Sequence, residues 1–390
     1  MNDKAKGWIA FVVVIAVIVI GYLALSGPAE DVTEDVAVEE SGPIVIGVIT
    51  PLSGDAAVYG EPSLNVLNLA ASQINDAGGV NGRMIELVPQ DGACNGTDAA
   101  NAMQQLVNVE GVEIVIGGFC SSESLAAAPI ANENEVLLFS VGSSSPDLTT
   151  EGGDYFFRNY PSDASQGTVL ADVAYNHYEY TSVAVIQENL DYPLGIYNAF
   201  DSAFSELGGE TTVETFAPET EDFRTTLAKL QELDADALLV SVQTPSSAER
   251  ILQQVQELDW DVALIGADVI PGSDLASESP ELVEGMLVAE FGCDEESAEF
   301  QEFFNAYIEM YDADPEFLSY AQTEYDGLFI LADAIAEVGE DASEIRQWLL
   351  DLEGWSGVSG IIEFDENGDR SEGGHSPEVI LDGVVTALEI

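Results

Sequence analysis

The chain has 390 residues, of which 46% are hydrophobic, so it is long enough to bury one or two sizeable cores. It carries 72 acidic side chains against 9 basic ones, and its formal net charge is -63. This balance excludes a nucleic-acid-binding protein, because no basic surface is available to neutralise phosphates. Such an acidic surface repels itself in dilute buffer, whereas molar salt shortens the Debye length to about 3 Å and removes most of the repulsion. The composition therefore predicts an acidic, halophilic protein.

The N-terminal segment contains two lysines followed by the apolar run Trp8–Leu25. Such a run is short for a membrane-spanning helix and long for the core of a signal peptide. We predict that residues 1–26 are an uncleaved membrane anchor, and a signal peptide cleaved after Ser26 is the alternative. In both cases the lysines stay inside and the rest of the chain is extracytoplasmic. Residues 27–43 are acidic and have no regular apolar period, which predicts a solvated tether.

From Ile44 onward, strand and helix patterns alternate along the chain, with short turns between them. In the first predicted helix, Pro62–Asn75, the side chains of Leu64, Leu67 and Ala71 recur on one face, as in a helix that packs on a sheet. Alternation of this kind indicates a mostly parallel sheet covered on both faces. It occurs in two sets, so the sequence predicts an α/β protein with two lobes.

The predicted strands fall into these two sets and a shorter final part. The first set comprises Ile44–Thr50, Met84–Gln90, Val112–Gly117 and Val136–Val141, and the second comprises Ser182–Gln187, Thr211–Phe216, Ala237–Val242 and Val262–Ile265. The final part predicts one more strand, Gly285–Phe291, and a hairpin of Ile361–Phe364 with Val379–Leu381 that turns near Asn367-Gly368.

The stretch Gly117–Glu123 joins a predicted buried strand to a predicted helix. Ser121 and Ser122 are suitable N-cap residues, because a hydroxyl can accept a hydrogen bond from a free N–H group of the first turn. Free N–H groups, a hydroxyl and the positive end of the helix dipole meet at this point and suit a small anion such as a carboxylate. A serine-capped turn that binds nothing is the alternative from this stretch alone.

The three cysteines are Cys94, Cys120 and Cys293. The first two each follow a predicted strand, on neighbouring turns. A bridge between them would close a loop of about 27 residues, would stabilise the fold by roughly 3–4 kcal/mol in the chain-entropy model, and would require an oxidising location. Two buried free thiols are the alternative, and Cys293 is predicted to be a free thiol. The cysteines and the two histidines do not have zinc-ligand spacing, so no metal site is predicted.

The patterns of common enzyme classes are missing from the sequence. No GxGxxG stretch follows the first strand, so no dinucleotide cofactor is predicted. GVSG at 357–360 is not a nucleophile elbow, and the two histidines offer few candidates for acid–base chemistry. We therefore predict a protein that is not an enzyme and has no cofactor.

Several stretches resemble, in order, the branched-chain amino-acid binding proteins, which are the extracytoplasmic substrate-binding components of ABC transporters. These stretches are VITPLSGDAAVYG at 48–60, ASQINDAGGVNGR at 71–83, DGACNG at 91–96, GGFCSSES at 117–124, SVGSSSPDLT at 140–149, YFFRNYPSDASQG at 155–167 and FDENGD at 364–369. The resemblance runs from about Ile44 to the C-terminus. Cys94 and Cys120 fall where some members of the family carry a disulfide.

The resemblance implies the type I periplasmic binding protein fold, in which two doubly wound parallel-sheet lobes are joined by three hinge crossovers. Those crossovers would lie near Tyr160, Phe291 and Gly357. Lobe 1 would then comprise residues 44–160 and 291–357, and lobe 2 would comprise residues 161–290 and 358–390. A ligand would bind in the cleft between the lobes, at the carboxyl ends of the strands, and the lobes would close on it.

The resemblance also implies a set of ligand-binding residues drawn from both lobes: Tyr59, Ser121, Gly142, Ser143, Ser144, Tyr192, Gln243 and Asp268. Ser121 and Ser144 match residues whose hydroxyls donate to the ligand carboxylate. The carbonyl of Gly142 and the carboxylate of Asp268 match groups that accept from the ligand ammonium. Two tyrosines match aromatic residues that close over the ligand.

Two positions depart from the family pattern. Asp268 is one methylene shorter than the usual glutamate, and Gln243 lies where close relatives often carry an aromatic residue. The glutamine favours a polar ligand side chain, so a polar amino acid, an amide or urea stay open beside the branched-chain amino acids.

The function that the resemblance implies is capture of an amino acid and its delivery to the permease subunits of an ABC transporter. The alternatives are a membrane-tethered ligand sensor and a binder of urea or short amides on the same fold. In each case the partners would be a small-molecule ligand and, through the N-terminal segment, the membrane.

Overall fold

Two mostly parallel β-sheets organise the chain in the computed structural model, which describes residues 42–389. The predicted anchor, residues 1–26, and nearly all of the predicted tether, residues 27–43, lie outside the described residues. None of the described helices is both long and apolar enough to cross a membrane.

The first sheet has five parallel strands in the order β2-β1-β3-β4-β5. Their bounds are β1 Ile44–Thr50, β2 Ile85–Asp91, β3 Ile114–Gly117, β4 Leu137–Ser140 and β5 Phe156–Arg158. In β1, which lies between β2 and β3, six of the seven residues are buried, as expected for a β-branched run that is covered on both faces. The short strand β5 has no counterpart among the predicted strands.

The second sheet has seven strands in the order β14-β13-β10-β9-β8-β6-β7. Their bounds are β6 Ser182–Glu188, β7 Glu210–Phe216, β8 Ala237–Ser241, β9 Ala263–Gly266, β10 Leu287–Glu290, β13 Ser376–Leu381 and β14 Val384–Ala387. Five of these strands are parallel, and β13 and β14 add an antiparallel hairpin at one edge. The remaining two strands, β11 Trp355–Gly357 and β12 Gly360–Ile362, pair only with each other.

The helices cover both sheets. Their bounds are α1 Ala57–Asp76, α2 Gly96–Gln105, α3 Ser121–Asn134, α4 Leu148–Glu151, α5 Asp163–Asp172, α6 Asp191–Leu207, α7 Arg224–Gln231, α8 Pro245–Glu257, α9 Leu275–Glu278, α10 Pro280–Val283, α11 Ala298–Tyr311, α12 Leu318–Val338 and α13 Ala342–Leu350. Helices α2 and α5 each continue into one π-helical turn. The start of α2 shows local sequence control, because the side chain of Asn95 accepts the free N–H groups of Thr97 and Asp98.

The chain passes between the sheets three times, so the two-lobed α/β fold is confirmed. The first passage follows β5, and the second follows β10, after which α11 and α12 return to the first lobe and pack on α1. The third passage lies later than the predicted Gly357, because Ile362 and Phe364 still pack in the core of the first sheet. The chain enters the second sheet only at Ser376.

The predicted pairing of Ile361–Phe364 with Val379–Leu381 is wrong. The segment around Ile361 pairs with Trp355–Gly357, and Val379 pairs with β10 and β14. The Asn367-Gly368 signal does mark a turn, but this turn carries Asp369 to Arg158 at the end of β5. The turn therefore attaches this part of the chain to the first sheet, and it does not connect two strands of a hairpin.

Arg158 and Asp369 form a buried ion pair at this point. The side chain of Arg158 is fully buried, and its Nε and Nη2 donate to the two carboxylate oxygens of Asp369 at 2.6 and 3.0 Å. The third guanidinium nitrogen, Nη1, donates to the carbonyl of Ser145 at 2.8 Å. All three nitrogens of the guanidinium are therefore satisfied within the protein.

We expect Asp369→Ala to lower the free energy of unfolding by about 3–5 kcal/mol, because it leaves the buried guanidinium of Arg158 unpaired. The matched control is Glu257→Ala, which breaks an exposed pair with Arg224 and should have no measurable effect. Urea-induced unfolding in molar KCl measures both. Equal losses in the two variants would contradict the importance of the buried pair.

Candidate functional site

A small cavity lies between the two sheets. The carboxyl ends of β3 and β4 lie on its first-sheet side, and the carboxyl end of β8 lies on its second-sheet side. It is lined by Tyr59, Phe119, Cys120, Ser121, Gly142, Ser144, Tyr192, Gln243, Val269 and Tyr320. Six of the eight ligand-binding residues predicted from the sequence are in this set. The cavity volume is about 10 Å³, which holds about one water molecule. A larger ligand therefore needs the lobes or the lining side chains to move.

On the first-sheet side, Ser121 is the first residue of α3. The N-cap is Cys120, one residue before the predicted Ser121 and Ser122. The Oγ of Ser121 accepts hydrogen bonds from the backbone N–H groups of Ser144, at 3.3 Å, and Ser145, at 3.1 Å. A hydroxyl has two acceptor positions and one proton, so these bonds leave the O–H of Ser121 free to donate. This donor lies beside the N-terminus of α3, where the helix dipole favours negative charge.

Ser143 lies in the same turn but does not line the cavity. Its Oγ donates to the carbonyl of Gly118 at 2.7 Å and hydrogen-bonds the Oγ of Ser124 at 2.6 Å. The side chain is 1% exposed and holds the turn after β4 against the turn after β3. Its contacts in this structure join the two turns, and the ligand contact of Ser143 stays a prediction.

On the second-sheet side, Asp268 follows β9 and is 1% exposed. Its carboxylate accepts a hydrogen bond from the hydroxyl of Tyr160 at 2.8 Å and another from the hydroxyl of Tyr192. Asp268 is not among the residues that line the cavity, whereas Tyr192 is. Each carboxylate oxygen therefore accepts one tyrosine hydroxyl and keeps a second acceptor position.

A hydrogen bond joins the two lobes across the cavity. The hydroxyl of Tyr59, in the first turn of α1, donates to the backbone carbonyl of Gln243 at 3.1 Å. Gln243 follows β8, and its backbone N–H donates to the carboxylate of Glu188 at 2.9 Å. Tyr59 is thus placed between the lobes, where a closing aromatic residue was predicted.

The predicted disulfide between Cys94 and Cys120 is confirmed, and Cys293 is a free thiol. The carboxylate of Glu123 accepts hydrogen bonds from the backbone N–H groups of both bridged cysteines, at 2.9 Å from Cys94 and 3.0 Å from Cys120. Burial raises the pKa of Glu123 to about 7. The disulfide and this carboxyl group together hold the turn after β2 to the start of α3.

Three aromatic residues near the cavity were missed by the sequence analysis. Phe119 stacks on Tyr59 with ring centroids 5.2 Å apart, and Tyr320 lies 4.8 Å from Tyr160 and 5.0 Å from Phe119. Tyr160 was treated only as a crossover residue. Phe119 could have been found, because it lies within the Gly117–Glu123 stretch. Tyr320 lies on α12, and no local pattern distinguishes it from the other apolar residues of that helix.

Asp163 and His375 are buried near Asp268. Burial, and then the charge of Asp268, raise the pKa of Asp163 well above its usual range. Burial lowers the pKa of His375 to about 4, so that its imidazole is neutral at pH 7. The histidine therefore supplies no positive charge to Asp268 at that pH. The carboxylate of Asp268 is held by hydrogen bonds from the hydroxyls of Tyr160 and Tyr192.

A second cavity, of about 800 Å³, opens between the lobes near α8 and the N-terminus of α12. Its lining includes the carboxyl groups of Asp55, Glu249, Asp274, Glu278, Glu290, Glu295, Asp314, Glu316 and Glu378. No lysine or arginine of the described residues lines it, so it offers no cation to a ligand carboxylate. The described residues also contain no group of three or more His, Cys, Asp or Glu side chains placed to hold a metal ion. Within the described part of the chain, the smaller cavity is also lined by no lysine or arginine, but it has the hydroxyl of Ser121 at the N-terminus of α3 as a donor for an anion.

Comparison with known proteins gives one family. A sequence profile described as periplasmic binding protein matches residues 43–374. A Leu/Ile/Val-binding protein homologue of Brucella suis is 28% identical over 332 residues, which cover 84% of this chain and 87% of that protein.

Solved structures agree with this result. A leucine-binding protein of Thermotoga maritima superposes with a TM-score of 0.80 and 28% identity, over 89% of this chain and 98% of that one. A branched-chain amino-acid transporter substrate-binding protein of Streptococcus pneumoniae, solved in complex with isoleucine, gives a TM-score of 0.78 and 27% identity. That match covers 88% of this chain and 98% of the other.

We expect the double variant Cys94→Ser with Cys120→Ser, which lacks the disulfide, to have a free energy of unfolding lower by about 3 kcal/mol. The reason is that the unfolded chain gains conformational entropy when the loop between the two residues is no longer closed. The control is Cys293→Ser, which breaks no bridge and should lower it much less. Urea-induced unfolding of each variant, and of the wild type with and without a reducing agent, measures the difference. If reduction leaves the wild type as stable as before, the bridge does not stabilise the fold.

Proposed function

The chain belongs to the periplasmic binding protein family, and we propose that it captures a free amino acid between its lobes and delivers it to the permease of an ABC transporter. The leucine-binding and isoleucine-bound relatives support an amino acid as the ligand. The proposed role is binding and transfer, without chemical change of the ligand.

The arrangement around Ser121 is the observation that carries this proposal. Its oxygen is occupied by two backbone N–H groups, so its proton remains for a ligand, beside the N-terminus of α3. We propose that this hydroxyl, together with Ser144, binds the carboxylate of the amino acid. Gly142 lines the same cavity, and its carbonyl is the proposed partner of the ammonium on this side.

The ammonium needs a charge partner when it leaves water, and Asp268 is the proposed one. The carboxylate is held by the hydroxyls of Tyr160 and Tyr192. We propose that the ammonium takes the place of one hydroxyl, and that Tyr59 and Tyr192 pack over the bound ligand. The carboxyl group thus keeps its hydrogen bonds in both states.

Entry of the ligand requires opening, since the cavity holds about one water molecule. We propose that the two lobes, one around each sheet, move as separate bodies. Residues 44–160 and 291–370 would form the first lobe, and residues 161–290 and 371–389 the second. A hinge motion at the three passages would separate Tyr59 from the carbonyl of Gln243.

We propose that the protein works outside the cytoplasm, tethered to the cell membrane by residues 1–26 or released after cleavage at Ser26. The disulfide between Cys94 and Cys120 supports an oxidising location, where such bonds persist. Permease subunits are the proposed protein partners. The acidic composition supports a saline environment.

We expect the unfolding temperature to fall when KCl is lowered from about 2 M to about 0.1 M, because the Debye length grows from below 3 Å to about 10 Å and the net charge of -63 is then poorly screened. Differential scanning fluorimetry across a KCl series measures this, with sucrose as an uncharged control at matched osmolality. An unfolding temperature independent of KCl would contradict the proposed adaptation to salt.

We expect Ser121→Ala to weaken amino-acid binding by about 10- to 100-fold, because it removes a hydrogen bond to a charged group. Asp268→Asn should weaken it by about 100-fold, because it removes the charge partner of the ammonium. Isothermal titration calorimetry in molar KCl, with a panel of amino acids, urea and short amides, measures both.

The matched controls for this experiment are Ser205→Ala and Asp76→Asn, which change exposed residues of the same types. These controls should bind as the wild type does. If Ser121→Ala and Asp268→Asn keep the affinity of the wild type for its ligand, the proposed site is wrong. If only urea or short amides bind to the wild type, the proposed ligand class is wrong.

A further inference from the structure

The side chain of Gln243 has hydrogen-bonding groups that the protein does not use. The residue is 6% exposed and lines the small cavity. Its Oε1 has no hydrogen-bond partner, and its Nε2 contacts only the sulfur of Cys120, at 3.9 Å. Sulfur is a weak acceptor, so the carboxamide is nearly unpaired. Buried polar groups without partners are uncommon in folded proteins and call for an explanation.

The backbone of Gln243 is held by hydrogen bonds to both lobes. Its N–H donates to Glu188 at 2.9 Å, and its carbonyl accepts from the hydroxyl of Tyr59 at 3.1 Å. Glu188 lies at the end of β6 in the second lobe, whereas Tyr59 belongs to the first. The backbone is therefore held from both sides, and the side chain lies at the cavity, with Nε2 3.9 Å from the sulfur of Cys120.

The rest of this part of the cavity is apolar or aromatic. Phe119, Tyr320 and Val269 lie around it, and the bridged sulfur of Cys120 completes the wall. The other polar side chains that line the cavity are the two serines, Ser121 and Ser144, and three tyrosines. Of the side chains in this lining, that of Gln243 is the one with a buried polar atom that has no hydrogen-bond partner, so it is the group available to the side chain of a ligand.

We infer that Gln243 selects amino acids whose side chain carries a hydroxyl or a carboxamide, over apolar amino acids of the same shape. This inference rests on the amino-acid-binding function proposed above. A hydroxyl and a carboxamide both donate and accept, so they pair with Gln243 whichever way its amide is oriented. An apolar side chain would bury the carboxamide unpaired, as when a site built for a hydroxyl meets an analogue that lacks it.

The test compares ligands that differ in one group. L-threonine and L-valine differ by a hydroxyl in place of a methyl, and L-asparagine and L-leucine differ by a carboxamide in place of a branched alkyl end. We expect the wild-type protein to bind the polar member of each pair at least about 10-fold more tightly. Isothermal titration calorimetry with the full chain in molar KCl measures the four affinities.

In Gln243→Leu, which keeps the shape but removes the carboxamide, we expect the preference to vanish or to reverse. Gln243→Met is a second apolar variant, in case the branched side chain prevents folding. The matched control is Gln104→Leu, which changes an exposed glutamine of the first lobe and should keep the wild-type preference.

The outcomes separate the two proposals. If the wild type binds valine and leucine as tightly as threonine and asparagine, or more tightly, the inference about Gln243 is overturned while the amino-acid site stands. A polar preference that survives unchanged in Gln243→Leu or Gln243→Met also overturns it. If the wild type binds no amino acid of a wider panel, the proposed function itself fails. The wild-type ratios decide the question even where a variant does not fold.

Discussion

The carboxyl group of Asp268 sets the main constraint on the site, because a carboxylate removed from water between two lobes must have hydrogen-bond donors. The hydroxyls of Tyr160 and Tyr192 provide them. Tyr160 lies at the first passage between the lobes, and Tyr192 lies in the first turn of α6. The same pair of bonds therefore satisfies the buried group and ties the passage between the lobes to the second sheet.

The opposite side of the cavity is held by bonds of a different kind. A disulfide and the carboxyl group of Glu123 fix the start of α3, and the hydroxyl of Ser143 fixes the neighbouring turn. Tyrosine hydroxyls, by contrast, can exchange one partner for another of similar strength. The site thus combines a first-lobe wall that includes a covalent bond with a second-lobe wall that is held by hydrogen bonds alone. Such an asymmetry suits a protein that must both hold a ligand and let it go.

Features that depend on residues next to one another in the sequence were predicted correctly. The strand Ile44–Thr50 was predicted to the residue, since its β-branched run has clear ends, and Ser121 was found because strand, glycines and serine follow one another directly. Contacts between distant segments were not predictable in this way. Tyr320 reaches the cavity because α12 returns to the first lobe. The turn at Asn367-Gly368 was assigned to the wrong hairpin, because it serves the ion pair between Asp369 and Arg158, which are far apart in the sequence.

The late return of the chain to the first sheet affects the order in which the protein can be completed. Ile362 and Phe364 belong to the core that also contains Ile46 and Val48, close to the start of the described chain. During synthesis that core lacks part of its packing until nearly all of the polypeptide has emerged from the ribosome. The core of the first sheet, which begins with the first described strand, is thus completed only after all five parallel strands of the second sheet have been made.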